Sequence, residues 1–190
     1  MIGPNRSSGL DQSGMNSSDL DRRSEAMATP TDTASICSLQ VANRLFGIDA
    51  LRIREVLGTT LPQPVPLAPG YIAGVVPYRG EVLTTIDLRA VLGLPERVGK
   101  NCVLVIDGAE NQECFGLMAD SVGAVVWMEQ NALQANPGGL DARSQELFDG
   151  AYRTATGLMV RLNLRQLGPS RLAVSELFGK SKHEKAGETR

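Results

Sequence analysis

Gly74-Val75-Val76-Pro77-Tyr78-Arg79-Gly80-Glu81-Val82-Leu83-Thr84-Thr85-Ile86-Asp87-Leu88-Arg89-Ala90-Val91-Leu92-Gly93 is the stretch whose reading decides the fold. It reads as strand, tight turn, strand and short capped helix. In the second strand Val82, Thr84, Ile86 and Leu88 fall on one face and Glu81, Leu83, Thr85 and Asp87 on the other. That is the period-2 pattern of a half-buried strand, with Leu83 out of place among the polar set. Pro77 suits the first central position of a turn, and Gly80 the left-handed conformation that closes it. Asp87 is placed to cap the following helical turn, and Gly93 to stop it. The turn then presents Tyr78 and Arg79, an aromatic plate beside a permanent cation, and residues of these types are enriched where one protein grips another.

Upstream, Ile36 to Val41 alternates apolar and polar, Asn43-Arg44 makes a turn, and Leu45-Phe46-Gly47-Ile48 returns as a second strand. Ala50 to Leu57 is ambiguous. Leu51 and Ile53 alternate as in a strand, whereas Ile53 and Val56 are also spaced as on a helix face; strand is the preferred reading. Pro62, Pro64, Pro66 and Pro69 break regular structure and hold the chain extended. Pro69 also suits the first position of a helical turn ending at Gly74.

Downstream, Pro95 to Asn101 is a connector, and Val103-Leu104-Val105-Ile106 is a continuous apolar run expected to be covered on both faces. Asp107 to Glu113 is a polar loop, and Cys114 to Ala119 its hairpin partner. Val122 to Met128 alternates, with Val122, Ala124, Val126 and Met128 on one side. Glu129 to Phe148 reads as a long loop with a helical turn near Ser144 to Phe148. A strand follows over Leu158 to Leu164, then a short helix from Pro169 to Gly179. Strands this short and frequent, with little helix, indicate an all-β protein of small barrels.

The 190 residues suffice for one domain or two small ones sharing a core. Residues 1–33 are rich in Ser, Asp, Gly and Asn and bury too little to offset ordering entropy, so they read as a disordered tail, as does the charged 180–190 segment. A net charge of -2 argues against a broad electrostatic grip on nucleic acid or an anionic membrane. Neither a secretory signal nor a run of roughly 20 apolar residues is present, which points to the cytoplasm. Cys37, Cys102 and Cys114 read as small buried hydrophobes in a reducing compartment.

Chemistry is sparse. The single histidine, His183, sits in the charged tail, which argues against a Ser-His-Asp or Cys-His arrangement. No phosphate-binding glycine loop, zinc ligand set or calcium loop is found, so no catalytic residue, cofactor or metal is expected. Phe46, Phe115 and Trp127 lack flanking Lys or Arg, unlike the stacking platforms of a single-strand-binding barrel, although a small-ligand or nucleic-acid-binding barrel stays open as an alternative. A protein surface remains. A lone arginine in a turn is ordinarily a solvated charge; here Arg79 stands beside Tyr78 on a stiffened turn, which loses little entropy on binding. Glu55, flanked by Ile53, Val56 and Leu57, is the second candidate.

With these residues in hand, the chain resembles the CheW-like family, the chemotaxis coupling proteins and the related regulatory domain of CheA-type histidine kinases. The matching stretches are Leu45-Phe46-Gly47-Ile48-Asp49, Ile53-Arg54-Glu55-Val56-Leu57, Leu67 to Val76, Arg79-Gly80 and Ile86-Asp87-Leu88-Arg89, with a weaker match at Phe115 to Val122. The resemblance implies two SH3-like five-stranded barrels side by side over 34–179, intertwined, with a boundary near 95–101. It implies a non-enzymatic adaptor that binds the cytoplasmic hairpin tip of a chemoreceptor and the regulatory domain of a CheA-type kinase, recruited to membrane-bound arrays without inserting into the bilayer. Arg79, Tyr78, Gly74 and Val75 would line or adjoin the receptor-facing groove, with Glu55 and Ile53 at or near the same surface. Pro77-Tyr78 stands where the family commonly has Asn-Leu, and Thr84-Thr85 where it has Pro-Val. Those departures leave a second reading, a divergent regulator of a second chemosensory system that binds the kinase only.

Overall fold

The alternating apolar residues from Ile36 onward fold as strands. The computed structural model describes residues 33–96, 99, 101–108 and 114–174. The expected tails, Thr33 apart, lie outside the described residues, as do Leu177 and Phe178. The described strands are β1 (Thr33–Val41), β2 (Arg44–Asp49), β3 (Ile53–Val56), β4 (Ile72–Tyr78), β5 (Glu81–Asp87), β6 (Cys102–Ile106), β7 (Phe115–Ala119), β8 (Ser121–Glu129), β9 (Phe148–Thr154) and β10 (Gly157–Leu162). They form two five-stranded sheets, β8-β1-β2-β10-β9 and β3-β6-β7-β5-β4, each an SH3-like barrel.

The chain passes between sheets at 49–53 and 119–121. The connector at 95–101, expected as a boundary, joins β5 to β6 within one sheet. The first barrel is therefore built from both ends of the described chain and the second from its middle. The largest core cluster draws on both, with Leu39, Phe46 and Ile48 from one sheet and Ile86, Leu104 and Leu117 from the other. Smaller clusters serve each barrel, around Ile36, Tyr152 and Met159 and around Val76, Leu83 and Val105.

The Val103–Ile106 run is buried throughout, as its unbroken apolarity requires. Leu83 is no anomaly. It pairs with Val76 inside the second barrel, while Ile86 on the other face of β5 and Leu88 just after the strand enter the shared core. Three expectations need correction. Ala50–Arg52 is a 3-10 turn capped by Asp49, and strand begins only at Ile53. Pro69 opens no helix reaching Gly74, because β4 starts at Ile72. Residues 148–154 form a strand that sequence reading left in a loop and its exit, since Asp149 and Gly150 interrupt the apolar pattern. Of the cysteines only Cys37 is buried, and burial pushes its thiol up; Cys102 and Cys114 are half-buried.

The two barrels repeat one design. The β4–β5 hairpin pairs Gly74 with Thr85 and Ile72 with Ile86, leaving Ala73 as a bulge, and Thr85 lies beside Gly116 of the parallel strand β7. The β9–β10 hairpin pairs Gly150 with Arg161 and Phe148 with Leu162, leaving Asp149 as a bulge, and Arg161 lies beside Gly47 of the parallel strand β2. A backbone bridge covers the outer edge each time, Gln63 on Val75 and Gln134 on Ala151. Gly74 has φ +140°, and a Cβ there would meet the Gln63 carbonyl, so this close approach admits only glycine.

Candidate partner-binding surface

The β4–β5 hairpin ends in a two-residue turn. Tyr78 pairs with Glu81, leaving Arg79 and Gly80 at the tip with φ of +51° and +86°. Positive φ at both central positions is the mirror-image turn that matches strand twist. Pro77, read from sequence as a turn residue, is instead an exposed strand residue opposite Val82. Asparagine and glycine take such a tip without penalty; arginine there is strained.

Arg79 is held open to solvent. Its Nη2 donates to Glu55 Oε2 at 3.0 Å, with side-chain exposures of 73% and 42%. Its guanidinium stands 5.1 Å from the Tyr78 ring centroid, within cation–π range. The Glu55 hydrogen bond and the Tyr78 hydroxyl hold Arg79 above its ordinary value, while burial and then Glu55 push the Tyr78 hydroxyl up. Tyr78 leans its ring on the cluster of Val76, Leu83 and Val105. Glu55 lies on β3 and Arg79 at the end of β4, the two edge strands of the sheet. The ion pair bridges those edges.

Of the six residues singled out by sequence, Arg79, Tyr78 and Glu55 come together as one charged and aromatic group. Val75 is half-buried on β4 under the Gln63 bridge. Gly74 is buried beneath that bridge, and its place is structural. Ile53 packs against the shared core. Sequence reading passed over the apolar strip beside the tip. Val82 is 72% exposed although it shares a face with Ile86 and Leu88, because the strand outruns the cover of the other barrel. Pro77 pairs with Val82 one step from the Tyr78–Glu81 pair, so two exposed apolar side chains flank the tip.

No group of His, Cys, Asp or Glu suited to a metal ion occurs among the described residues, and no helix among them is long and apolar enough to cross a membrane. Fold and surface together define a twin-barrel protein with a charged and aromatic hairpin tip exposed at the edge of one barrel.

A family model described as the CheW-like domain matches residues 35–170. "Chemotaxis protein CheW" of Treponema pallidum is 23% identical over 160 residues, covering 80% of this chain and 92% of that protein. "Protein FrzA" of Myxococcus xanthus is 31% identical over 129 residues, covering 67% of this chain and 79% of that protein. The crystal structure of the scaffolding protein TtCheW from Thermoanaerobacter tengcongensis superposes with a TM-score of 0.63 at 21% identity, covering 70% of this chain and 91% of that one. The chain belongs to the CheW-like family of chemotaxis scaffold proteins.

Proposed function

We propose that this chain is a non-enzymatic adaptor that couples the cytoplasmic tip of a chemoreceptor to the regulatory domain of a CheA-type histidine kinase. The observation that carries the reading is Arg79, strained at positive φ and 73% exposed, yet pinned by Glu55 and stacked near Tyr78. Pinning fixes the cation before a partner arrives, so little side-chain entropy is lost on docking. The exposed Pro77–Val82 pair beside it supplies apolar surface that gains from leaving water. Holding receptor and kinase in one assembly lets a change in receptor shape bias kinase activity through differential contacts.

Pull-down with a receptor cytoplasmic fragment tests this. Arg79→Glu puts like charge against Glu55 and the docking site, so recruitment is lost while the kinase domain still binds. Undiminished recruitment would move the receptor surface elsewhere. The likeness to "Protein FrzA" and the Pro77-Tyr78 pair support a second reading, an adaptor of a second chemosensory system that binds the kinase alone. Kinase binding by the wild-type chain without receptor recruitment would select it.

A further inference from the structure

The two barrels of the repeated design differ at three places that meet at one tip. The pairing that sets Tyr78 opposite Glu81 sets Thr154 opposite Gly157, so Tyr78 and Arg79 correspond to Thr154 and Ala155. The third place is on the edge strand. Glu55 of β3 lies opposite Val105, which in turn lies opposite Gly116. In the first barrel Ser38 lies opposite Gly47, the counterpart of Gly116, and β8 passes it between Val122 and Val125 as Gly123 and Ala124. One barrel thus carries a tyrosine, an arginine and a glutamate where its twin carries a threonine, an alanine and the uncharged Gly123-Ala124 pair.

Within this group the glutamate alone is a weak hold. Arg79 Nη2 donates to Glu55 Oε2 at 3.0 Å, but both side chains are open to water, and an exposed ion pair seldom fixes two long side chains in one geometry. Tyr78 supplies what the ion pair lacks. Its ring has only two torsions to fix, and it packs against Val76, Leu83 and Val105, all three buried inside the second barrel. The Arg79 guanidinium stands over that anchored ring, 5.1 Å from its centroid. Burial and then the nearby Glu55 carboxylate push the Tyr78 hydroxyl up. One side chain therefore meets the core on one side and both charges on the other.

We propose that Tyr78 is the positioning residue of this tip: it acts through Arg79, holding the guanidinium over its ring and beside Glu55 so that the remaining donors are presented to acceptor oxygens of the partner. An aliphatic residue of similar bulk would pack on the same three core residues and leave the cation to water. Only the identity of the partner, a chemoreceptor tip, rests on the adaptor reading; the hold on Arg79 belongs to the free chain.

A double-mutant cycle with a receptor cytoplasmic fragment tests the proposal, together with the Arg79 Nε–Hε signal in NMR spectra of the free full chain. In wild type the ring current is expected to displace that signal from the position of an unstacked arginine. Tyr78→Leu should return it there and weaken receptor binding about fivefold, with kinase-domain binding as in wild type. In the Arg79→Gln background the same change should cost nothing further, because Tyr78 acts through the cation. Tyr78→Phe keeps the ring, so its signal should stay displaced and its receptor affinity within about twofold of wild type. An equal loss from Tyr78→Leu in both backgrounds, or a loss in Tyr78→Phe as large as in Tyr78→Leu, would overturn the proposal. So would a wild-type Arg79 signal at the unstacked position, whatever the stability of the variants. Should the wild-type chain bind no receptor fragment, the adaptor reading fails, and the Arg79 signal alone decides whether Tyr78 holds the cation.

Discussion

The two hairpin tips of this molecule sit on the same scaffold and end differently. Tyr78-Arg79-Gly80-Glu81 at one tip is matched in register by Thr154-Ala155-Thr156-Gly157 at the other. Both hairpins lean on a bridged glutamine and a glycine at strongly positive φ, Gly74 and Gly150. The second tip closes on itself, the Thr154 hydroxyl donating to the Gly157 carbonyl at 2.7 Å. The first opens outward, a strained arginine tied to a glutamate on another strand. The barrel therefore has no need of a cation at its tip, since its twin does without one. On the proposed reading, Arg79 serves a partner and not the fold.

The register that equates Gly116 with Gly47 also equates Asp120 with Leu51, and the largest expected effect lies at these two corners. Asp120 is 8% exposed, accepts from Arg89 and from the Ala42 amide, and so ties the second barrel to the β1–β2 turn of the first. Asp120→Ala leaves a nearly buried guanidinium unpaired and should cost about 3–5 kcal/mol of stability. Leu51→Ala, the change at the matching place in the other half, should fall within about 0.5 kcal/mol of wild type because that side chain is exposed. Denaturant unfolding of both variants measures the contrast; equal losses would dissolve the correspondence between corners.

A smaller effect of opposite sign is expected at Thr85. Its hydroxyl is buried, has no hydrogen-bond partner among the described residues, and presses on Gly116. Thr85→Val replaces that orphaned hydroxyl with a methyl and should raise stability by about 1 kcal/mol, read as a higher denaturant midpoint at unchanged slope. The smallest effect belongs to the tip. Arg79→Asn relieves the positive-φ strain and should raise Tm by about 1–3 °C, whereas Arg79→Ala keeps a side chain that dislikes positive φ and should leave Tm within about 1 °C. A marked fall in either would make Arg79 a structural residue.

Much of this was legible in the sequence, for reasons particular residues make clear. The unbroken Val103–Ile106 run and the alternation from Ile36 announced strands, and Tyr78-Arg79 announced a displayed pair. The Arg79–Glu55 bridge was not legible, because the partners are separated by 24 positions and meet only when the second sheet curls its edge strands together. Pro77 misled because proline marks turns and edge strands alike, and only the Tyr78–Glu81 pairing tells them apart. Val82 looked like core because Ile86 and Leu88 share its face, and where the neighbouring barrel stops covering that face is a tertiary fact. The internal repeat left only two short echoes, Phe46-Gly47-Ile48 against Phe115-Gly116-Leu117 and Ile86-Asp87-Leu88-Arg89 against Leu162-Asn163-Leu164-Arg165. Each is too short to stand out until strand register aligns it.

The central claim is that one tip recognises a partner and its twin does not. Calorimetric titration of a receptor cytoplasmic fragment into the wild-type chain, Arg79→Glu and Ala155→Glu tests it directly, with binding of the kinase regulatory domain measured alongside. The account predicts at least a tenfold loss of receptor affinity for Arg79→Glu, none for Ala155→Glu, and kinase binding intact in both. Equal receptor affinity in the two variants would contradict it.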